Sequence, residues 1–226
     1  MAEFTYFSLF LTLGAFSIGL FCQRKWKNPL LNPILIGAAL IMVFLGVTGI
    51  PNQQFQAGCK PLQYLLTPAT ICLAISFYAQ LGALKKQLPA IVAGVVLGTG
   101  ASLGSILLLC KLFRLEAVLT ASLLPKSVTT AIGVALTEEA GGISAVTTAA
   151  IILTGISGNI FGPFLSKLFR LKDPVAQGVA LGTASHVIGT ARANEIGQLC
   201  GAVSGVSLTL AGLLTAVFYS FLLNMI

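Results

Sequence analysis

Apolar segments about as long as a membrane-spanning helix recur along the sequence, and they limit what this chain can fold into. A helix needs about 20 apolar residues to cross the hydrocarbon core of a bilayer. Only 8% of the residues are charged, whereas soluble domains carry about 25%, so the chain cannot cover a surface that faces water. We therefore predict an all-α, multi-pass membrane protein. The apolar runs are 4–22, 31–50, 62–80, 88–110, 117–136, 143–164 and 203–226.

The net charge of +7 does not indicate nucleic-acid binding, because the basic residues cluster in short segments that flank the apolar runs. The cluster Arg24-Lys25-Trp26-Lys27 follows the first run and is typical of the cytoplasmic side of a membrane. Glu3 precedes the first run, without basic residues before it, so we do not interpret this run as a signal peptide.

The number of spans does not follow from a simple alternation of loops. The pentapeptide Lys-Leu-Phe-Arg-Leu occurs at 111–115 and again at 167–171. If the N-terminus lies outside and each apolar run crosses the membrane once, both copies of the pentapeptide lie outside. Basic residues, however, favour the cytoplasmic side. A segment that enters the membrane and returns would resolve this conflict, and 175–197 is only moderately apolar. We predict about seven or eight membrane segments, some interrupted or re-entrant, and an internal repeat of one broken helix and one Gly-rich helix.

Two stretches place polar and helix-breaking residues where a membrane helix should be apolar. In 123–130, Pro125 removes a backbone donor, and Lys126 puts a cation at membrane depth, which is costly unless the charge is paired or hydrated. In 182–192, the only histidine of the chain lies among small residues with Arg192. We expect these two stretches to meet around one site. The predicted helix breaks are Pro68, Pro125, Gly182 and Gly189.

Other motifs favour helix packing over catalysis. The spacings Gly94-xxx-Gly98 and Gly100-xxx-Gly104 let helix backbones approach closely. The five cysteines are odd in number and lie mostly inside apolar runs, which favours apolar packing over disulfides or a metal site. The sequence contains no catalytic triad pattern or metal-ligand cluster, so we expect neither an enzyme nor a cofactor or metal.

Several uncommon strings occur in the second half of the chain. They are Leu-Pro-Lys-Ser-Val-Thr-Thr (124–130), Gly141-Gly142-Ile143, Asp173-Pro174-Val175-Ala176, Leu-Gly-Thr-Ala-Ser-His (181–186) and Gly-Thr-Ala-Arg (189–192) with Glu195. Together they resemble the LrgB/CidB family of membrane proteins, and the resemblance covers nearly the whole chain and is densest from 120 to 212. The chain departs from the family pattern at Ala131 and at Ser76-Phe77-Tyr78, where the family usually has prolines, and both departures predict less unwinding there.

The resemblance implies two functions of different kinds. Members are named antiholin-like modulators of murein hydrolases and autolysis, which would act by oligomerising in the membrane. A plastid relative, fused to an LrgA-like half, is a glycolate/glycerate translocator, and bacterial relatives are linked to uptake of pyruvate-like monocarboxylates. The resemblance therefore implies a bacterial inner-membrane protein, with 1–61 as N-terminal membrane helices and 62–226 as a transport core. Expected partners are a small carboxylate, the lipid bilayer, a second copy in a homodimer and an LrgA-type small membrane protein.

The residues themselves give carboxylate transport a physical basis. Half-helix N-termini bind anions, and transporters expose them by interrupting helices near the midplane of the membrane. Lys126 or Arg192 could neutralise a carboxylate, and nearby hydroxyls could donate to its oxygens. His186 titrates near neutral pH, so we hypothesise that it, Glu195 or Glu138 carries a coupling proton. The predicted substrate-binding residues are Lys126, Ser127, Thr129, Thr130, Thr183, Ser185, His186, Thr190 and Arg192.

Each of these candidates also has a purely structural interpretation. Lys126 would then pair with a buried glutamate, and His186 would form a hydrogen bond between helices. Arg192 would pair with Glu195, three residues further along a helix, and Glu138 would lie in a solvated loop. Interrupted helices with intramembrane cations favour transport, because a module that only assembles needs no converging polar site.

Overall fold

The computed structural model describes residues 2–26, 33–65, 68 and 81–223, and the regular structure in these ranges is helical. The chain divides into two compact units, Met1–Ile75 and Ser76–Ile226. In the first unit the helices are α1 (Ala2–Trp26), α2 (Pro33–Thr48), α3 (Asn52–Gly58) and α4 (Lys60–Tyr64). In the second unit they are α5 (Leu81–Leu112), α6 (Ala117–Leu123), α7 (Thr130–Glu139), α8 (Ser144–Leu168), α9 (Pro174–Ile196) and α10 (Gln198–Leu223).

Four of these helices are long and apolar enough to cross a membrane, which confirms an all-helical membrane protein. The spans are Tyr6–Lys25, Lys85–Leu112, Ser144–Leu168 and Gln198–Leu223. Helix α2 is apolar but shorter, with 16 residues. Large apolar side chains such as Phe10, Val47 and Leu97 are exposed, as side chains that face lipid must be.

Part of the sequence-based prediction falls outside the described residues. Of the third apolar run, only 62–65 and 68 are described. Pro68 is itself described, but its neighbours 66, 67 and 69–80 are not, so the break predicted at Pro68 stays a prediction. The departure at Ser76-Phe77-Tyr78 lies outside the described residues. The total of seven or eight spans and the division of roles between 1–61 and 62–226 stay predictions.

The two copies of Lys-Leu-Phe-Arg-Leu end their helices with the same local structure. At the end of α5, the amide of Phe113 donates to Leu109 O at 2.9 Å and the amide of Leu115 to Cys110 O at 2.9 Å. At the end of α8, Phe169 donates to Leu165 O and Leu171 to Ser166 O in the same pattern. The arginine of each copy is left-handed, with φ of 53° and 54°. This is the Schellman arrangement, which satisfies the last carbonyls of a helix. The wider internal repeat stays a prediction.

Glycine at either arginine position is expected to stabilise the protein, because a left-handed residue with a Cβ costs free energy that glycine avoids. We expect Arg170→Gly to be more stable than Arg170→Ala by about 0.5–1 kcal/mol after allowing for the greater freedom of glycine in the unfolded chain. Both variants lose the same charge, so their difference isolates the backbone term. Thermal unfolding in detergent micelles measures it, and equal melting temperatures would contradict the expectation.

Glycines let the helices of the second unit pack closely. A Cβ at Gly178 would lie 2.6 Å from Cys200 O, and one at Gly182 would collide with the backbone of Ser204, so α9 and α10 are in backbone contact. On the other side of α9, Cβ atoms at Gly94 and Gly98 of α5 would lie 3.0 Å from the methyl groups of Val179 and Thr183. The Gly94-xxx-Gly98 spacing thus marks a helix contact, whereas Gly100 and Gly104 have no such neighbour within 4 Å.

Candidate functional site

The first interruption separates α6 from α7 at residues 124–129, around Pro125. In a continuous helix, Ala121 O would accept from the amide of residue 125, but proline has none. The hydroxyl of Tyr219 in α10 donates to Ala121 O at 2.9 Å instead. The helix is interrupted here despite Ala131, because the missing donor is at Pro125 and the freed carbonyl has another partner.

Hydroxyl side chains hold the two halves of this interrupted helix against α8. Thr147 Oγ1 donates to Ser122 O at 2.9 Å, and it lies 2.8 Å from the hydroxyl of Thr137 in α7. The amide of Ile143 donates to Ser122 Oγ at 2.8 Å. Because these groups are buried and mutually satisfied, the ends of the interruption are fixed in place.

The second interruption lies inside α9, at Ser185 (φ −133°, ψ 17°) and His186 (φ 43°, ψ −137°). It falls three residues after Gly182 and three before Gly189, so it does not occur at either glycine predicted to break the helix. A Cβ at Gly182 would collide with the backbone of Ser204 in α10, so this glycine serves helix packing. A Cβ at Gly189 would collide with Leu181 O of α9 itself, so this glycine allows a close approach across the interruption. Positive φ at a histidine is uncommon and marks a position held by its surroundings.

Contacts from two neighbouring helices hold His186 in this conformation. Its Nε2 lies 2.9 Å from Ile151 O of α8, and a Cβ at Gly155 would lie 2.6 Å from its Cε1. Thr190 Oγ1 donates to His186 O at 3.0 Å and also lies 2.9 Å from Ser204 Oγ of α10. His186 is therefore an interhelical hydrogen-bonding residue in this structure, as its structural interpretation predicts.

The two interrupted helices meet α5 at an open groove of about 540 Å³, within the range of small-molecule sites. Lys126 and Ser127 come from the first interruption, and Thr183 and Ala184 immediately precede the second. The wall opposite consists of small residues of α5. The lining residues are Gly94, Gly98, Ala101, Ser102, Ser105, Lys126, Ser127, Val179, Ala180, Thr183 and Ala184.

A short polar chain crosses this groove from the first interruption to α5. Lys126 Nζ donates to Ser127 Oγ at 3.3 Å, and Ser127 Oγ lies 3.0 Å from Ser102 Oγ. Lys126 is half-buried, and the described residues offer its ammonium group no carboxylate within ion-pair distance. A cation that is partly removed from water and unpaired attracts an anion.

The other predicted residues lie outside this groove. Thr129 is the N-cap of α7, and Thr130 is its exposed first residue. Arg192 pairs with Glu195 on the same helix face, as its structural alternative predicts. Glu138 is exposed at the end of α7 and accepts from Ser144 Oγ at 3.0 Å. The groove therefore brings together Lys126, Ser127 and Thr183 of the predicted set.

Sequence reasoning missed the contribution of α5. Thr99, Ser102 and Ser105 are not among the predicted site residues, because the Gly-rich spacing alone predicts a packing helix. The available signal was the combination of Gly94-xxx-Gly98 with hydroxyl residues one turn further along. Glycines bring a second helix close, and the adjacent hydroxyls then face whatever lies between the two helices.

Comparison with known proteins shows the family to which the sequence of this chain belongs. The family model described as the LrgB-like family matches residues 12–225. Proteins named antiholin-like protein LrgB from Bacillus mycoides (strain KBAB4), Bacillus cereus (strain B4264) and Bacillus anthracis (strain CDC 684 / NRRL 3495) are each 34% identical over 213 residues, which cover 94% of this chain and 93% of the relative. No solved structure matches the chain significantly. The chain belongs to the LrgB-like family.

Proposed function

We propose that this protein is a membrane transporter or facilitator of small monocarboxylates of the glycolate, glycerate, pyruvate or lactate class, and not an enzyme. The observation that carries the proposal is the half-buried Lys126, which lines a groove between two interrupted helices and has no carboxylate partner among the described residues. A partly buried cation without a counter-ion does not favour stability. A monocarboxylate substrate would supply the missing charge.

The groove offers the groups that a small carboxylate needs. Lys126 and Ser127 would bind the two carboxylate oxygens by charge-assisted and neutral hydrogen bonds. The small residues Gly98, Ala101 and Ala184 leave space for the substrate carbon atoms. Since the groove lies between interrupted helices, we place it near the middle of the membrane, where such sites occur in transporters. About seven or eight membrane segments, some of them interrupted or re-entrant, and an internal repeat of one broken helix and one Gly-rich helix belong to this proposal.

Uptake of labelled glycolate into proteoliposomes, with and without an inward proton gradient, tests the proposal. We expect the protein to accelerate uptake and the gradient to raise it, with His186 as the coupling group. His186→Gln retains a donor for Ile151 O but cannot be protonated, so we expect uptake to persist while its dependence on the gradient disappears. Unchanged gradient dependence would exclude His186 and leave Glu195 or Glu138 as the coupling candidates. Uptake no faster than in empty liposomes would contradict transport by this protein alone.

The second candidate is an antiholin-like regulator of murein hydrolase activity and autolysis. The relatives are named antiholin-like protein LrgB, and this name is compatible with both candidates. Such a regulator would act by oligomerising in the membrane, and its activity would not depend on one cation in a groove. Replacing Lys126 and measuring uptake and assembly separately distinguishes the two.

The proposal also extends to partners and location. We place the protein in a bacterial inner membrane as a homodimer, and we propose an LrgA-type small membrane protein as its partner. Chemical cross-linking in native membranes, followed by mass spectrometry, would identify both associations. If the purified protein alone transports no carboxylate, reconstitution with the partner decides whether transport requires it.

A further inference from the structure

Two buried threonine hydroxyls in the second unit have no hydrogen-bond partner. Thr99 Oγ1 of α5 and Thr183 Oγ1 of α9 are two of three such atoms among the described residues. The residues are only 4% and 5% exposed. Buried polar groups almost always have partners, so an exception needs an explanation such as an absent ligand or water.

Both hydroxyl residues line the same small pocket of about 10 Å³. This pocket shares Ser102, Ser127 and Thr183 with the open groove and is therefore its inner end. A cavity of this size is about large enough for one water molecule, so it has room for a single oxygen atom.

Other threonines in the helices of this unit form hydrogen bonds through their hydroxyls, which makes the unpaired hydroxyls of Thr99 and Thr183 unusual. Thr120, Thr190 and Thr209, which also lie in helices, donate to the carbonyl four residues earlier. Thr183 does not do so, and its methyl group faces Gly98. Both Thr99 and Thr183 thus keep their hydroxyls available at the pocket.

We propose that Thr99 and Thr183 bind the C2 oxygen of a 2-hydroxy or 2-keto monocarboxylate whose carboxylate is held by Lys126. This inference rests on the proposed function and adds the groups that would distinguish oxygenated acids from plain ones. A metal cation is a poor occupant of the pocket, because the ammonium group of Lys126 donates to Ser127, which lines the same pocket. An acid without the C2 oxygen would leave both hydroxyls unpaired, and buried sites discriminate strongly against such analogues.

Competition binding on the purified protein in detergent tests the inference. Labelled glycolate is the probe, and unlabelled glycolate and acetate, which differ only by the C2 hydroxyl, are the competitors. Thr99→Val keeps the shape of the side chain and removes the hydroxyl. We expect it to weaken glycolate binding about tenfold, the effect of one hydrogen bond, while acetate binding stays unchanged. Thr99→Ser should retain the preference for glycolate.

Controls separate this role from packing and from the proposed function itself. Thr209→Val removes an exposed hydroxyl that bonds to Gly205 O and should leave both affinities unchanged. Thr183→Val is the second test variant, should Thr99→Val fold poorly. Equal weakening of glycolate and acetate would show a packing role and overturn the inference alone. Failure of the unmodified protein to bind either acid would overturn the proposed function and this inference with it.

Discussion

Replacing Lys126 by methionine is expected to abolish carboxylate uptake while leaving the protein at least as stable as before. Removing one partner of a partly desolvated charge pair costs about 2 kcal/mol or more, equivalent to a loss of affinity of about 30-fold or more. The substrate would supply the other partner in this case. Uptake of labelled glycolate and binding by competition measure the loss.

The stability of Lys126→Met distinguishes a substrate site from a structural cation. The described residues provide Lys126 with no carboxylate, and its ammonium group donates only to Ser127. Removing an unpaired charge from membrane depth relieves a desolvation cost, so the melting temperature should stay the same or rise. A structural lysine would behave in the opposite way, with uptake and stability lost together.

Lys111→Met is the matched control, because Lys111 is an exposed lysine in the last turn of α5. It removes the same charge from a helix end without touching the groove, and uptake should remain close to that of the unmodified protein. Lys126→Arg keeps the charge and should retain part of the uptake. Uptake unaffected by Lys126→Met, in well-folded protein, would contradict the proposed site but not transport itself.

The second large effect is expected at Gly182, where alanine should destabilise the second unit by about 1–3 kcal/mol. The three nearest atoms to a Cβ at this position all belong to Ser204, and they are backbone atoms. A flexible side chain could rotate away, but backbone cannot, so α9 and α10 would have to separate. Thermal unfolding in detergent gives the change in stability.

Gly104→Ala provides the control for this prediction. Gly104 also lies within a helix, but a Cβ there would have no neighbour to displace within 4 Å. Alanine is the better helix former by about 0.5–1 kcal/mol, so this variant should be as stable as the unmodified protein or more so. Equal effects of the two substitutions would show that the contact with Ser204 is not the cause.

The sequence was sufficient to predict the membrane class and the region of each interruption, because apolar length and proline act locally. The dihedral change at Ser185 and His186 was not predictable to the residue. Glycine permits a break in a helix, but a Cβ at Gly182 or Gly189 would collide with a neighbouring atom, so both glycines are needed for close contacts. The break occurs instead at Ser185 and His186, where the imidazole of His186 lies within hydrogen-bond distance of a carbonyl oxygen of α8. His186 and its partner Ile151 are 35 residues apart in the sequence, so no local sequence pattern predicts this contact.

The same reasoning explains what could be predicted of the candidate site. Lys126 and Ser127 were conspicuous because polar residues are costly in a membrane, and the structure places both in the groove with Thr183. Thr99 and Ser102 gave no such signal, since isolated hydroxyls in membrane helices usually bond to their own backbone. Their importance depends on which helix lies opposite, and that is a property of the folded unit.

The different surfaces on the two sides of α9 determine where this unit can shear. On the side of α10, Gly182 lies directly against the backbone of Ser204. Sliding α9 along α10 would therefore push the carbonyl oxygen of Ser204 into the backbone of α9. Against α5, glycines face the methyl groups of Val179 and Thr183, which present smooth surfaces and form no hydrogen bonds across the interface. Small sliding of packed helices is one way in which proteins change shape. These contacts make α9 harder to slide along α10 than along α5, and the boundary with α5 is the one that borders the groove.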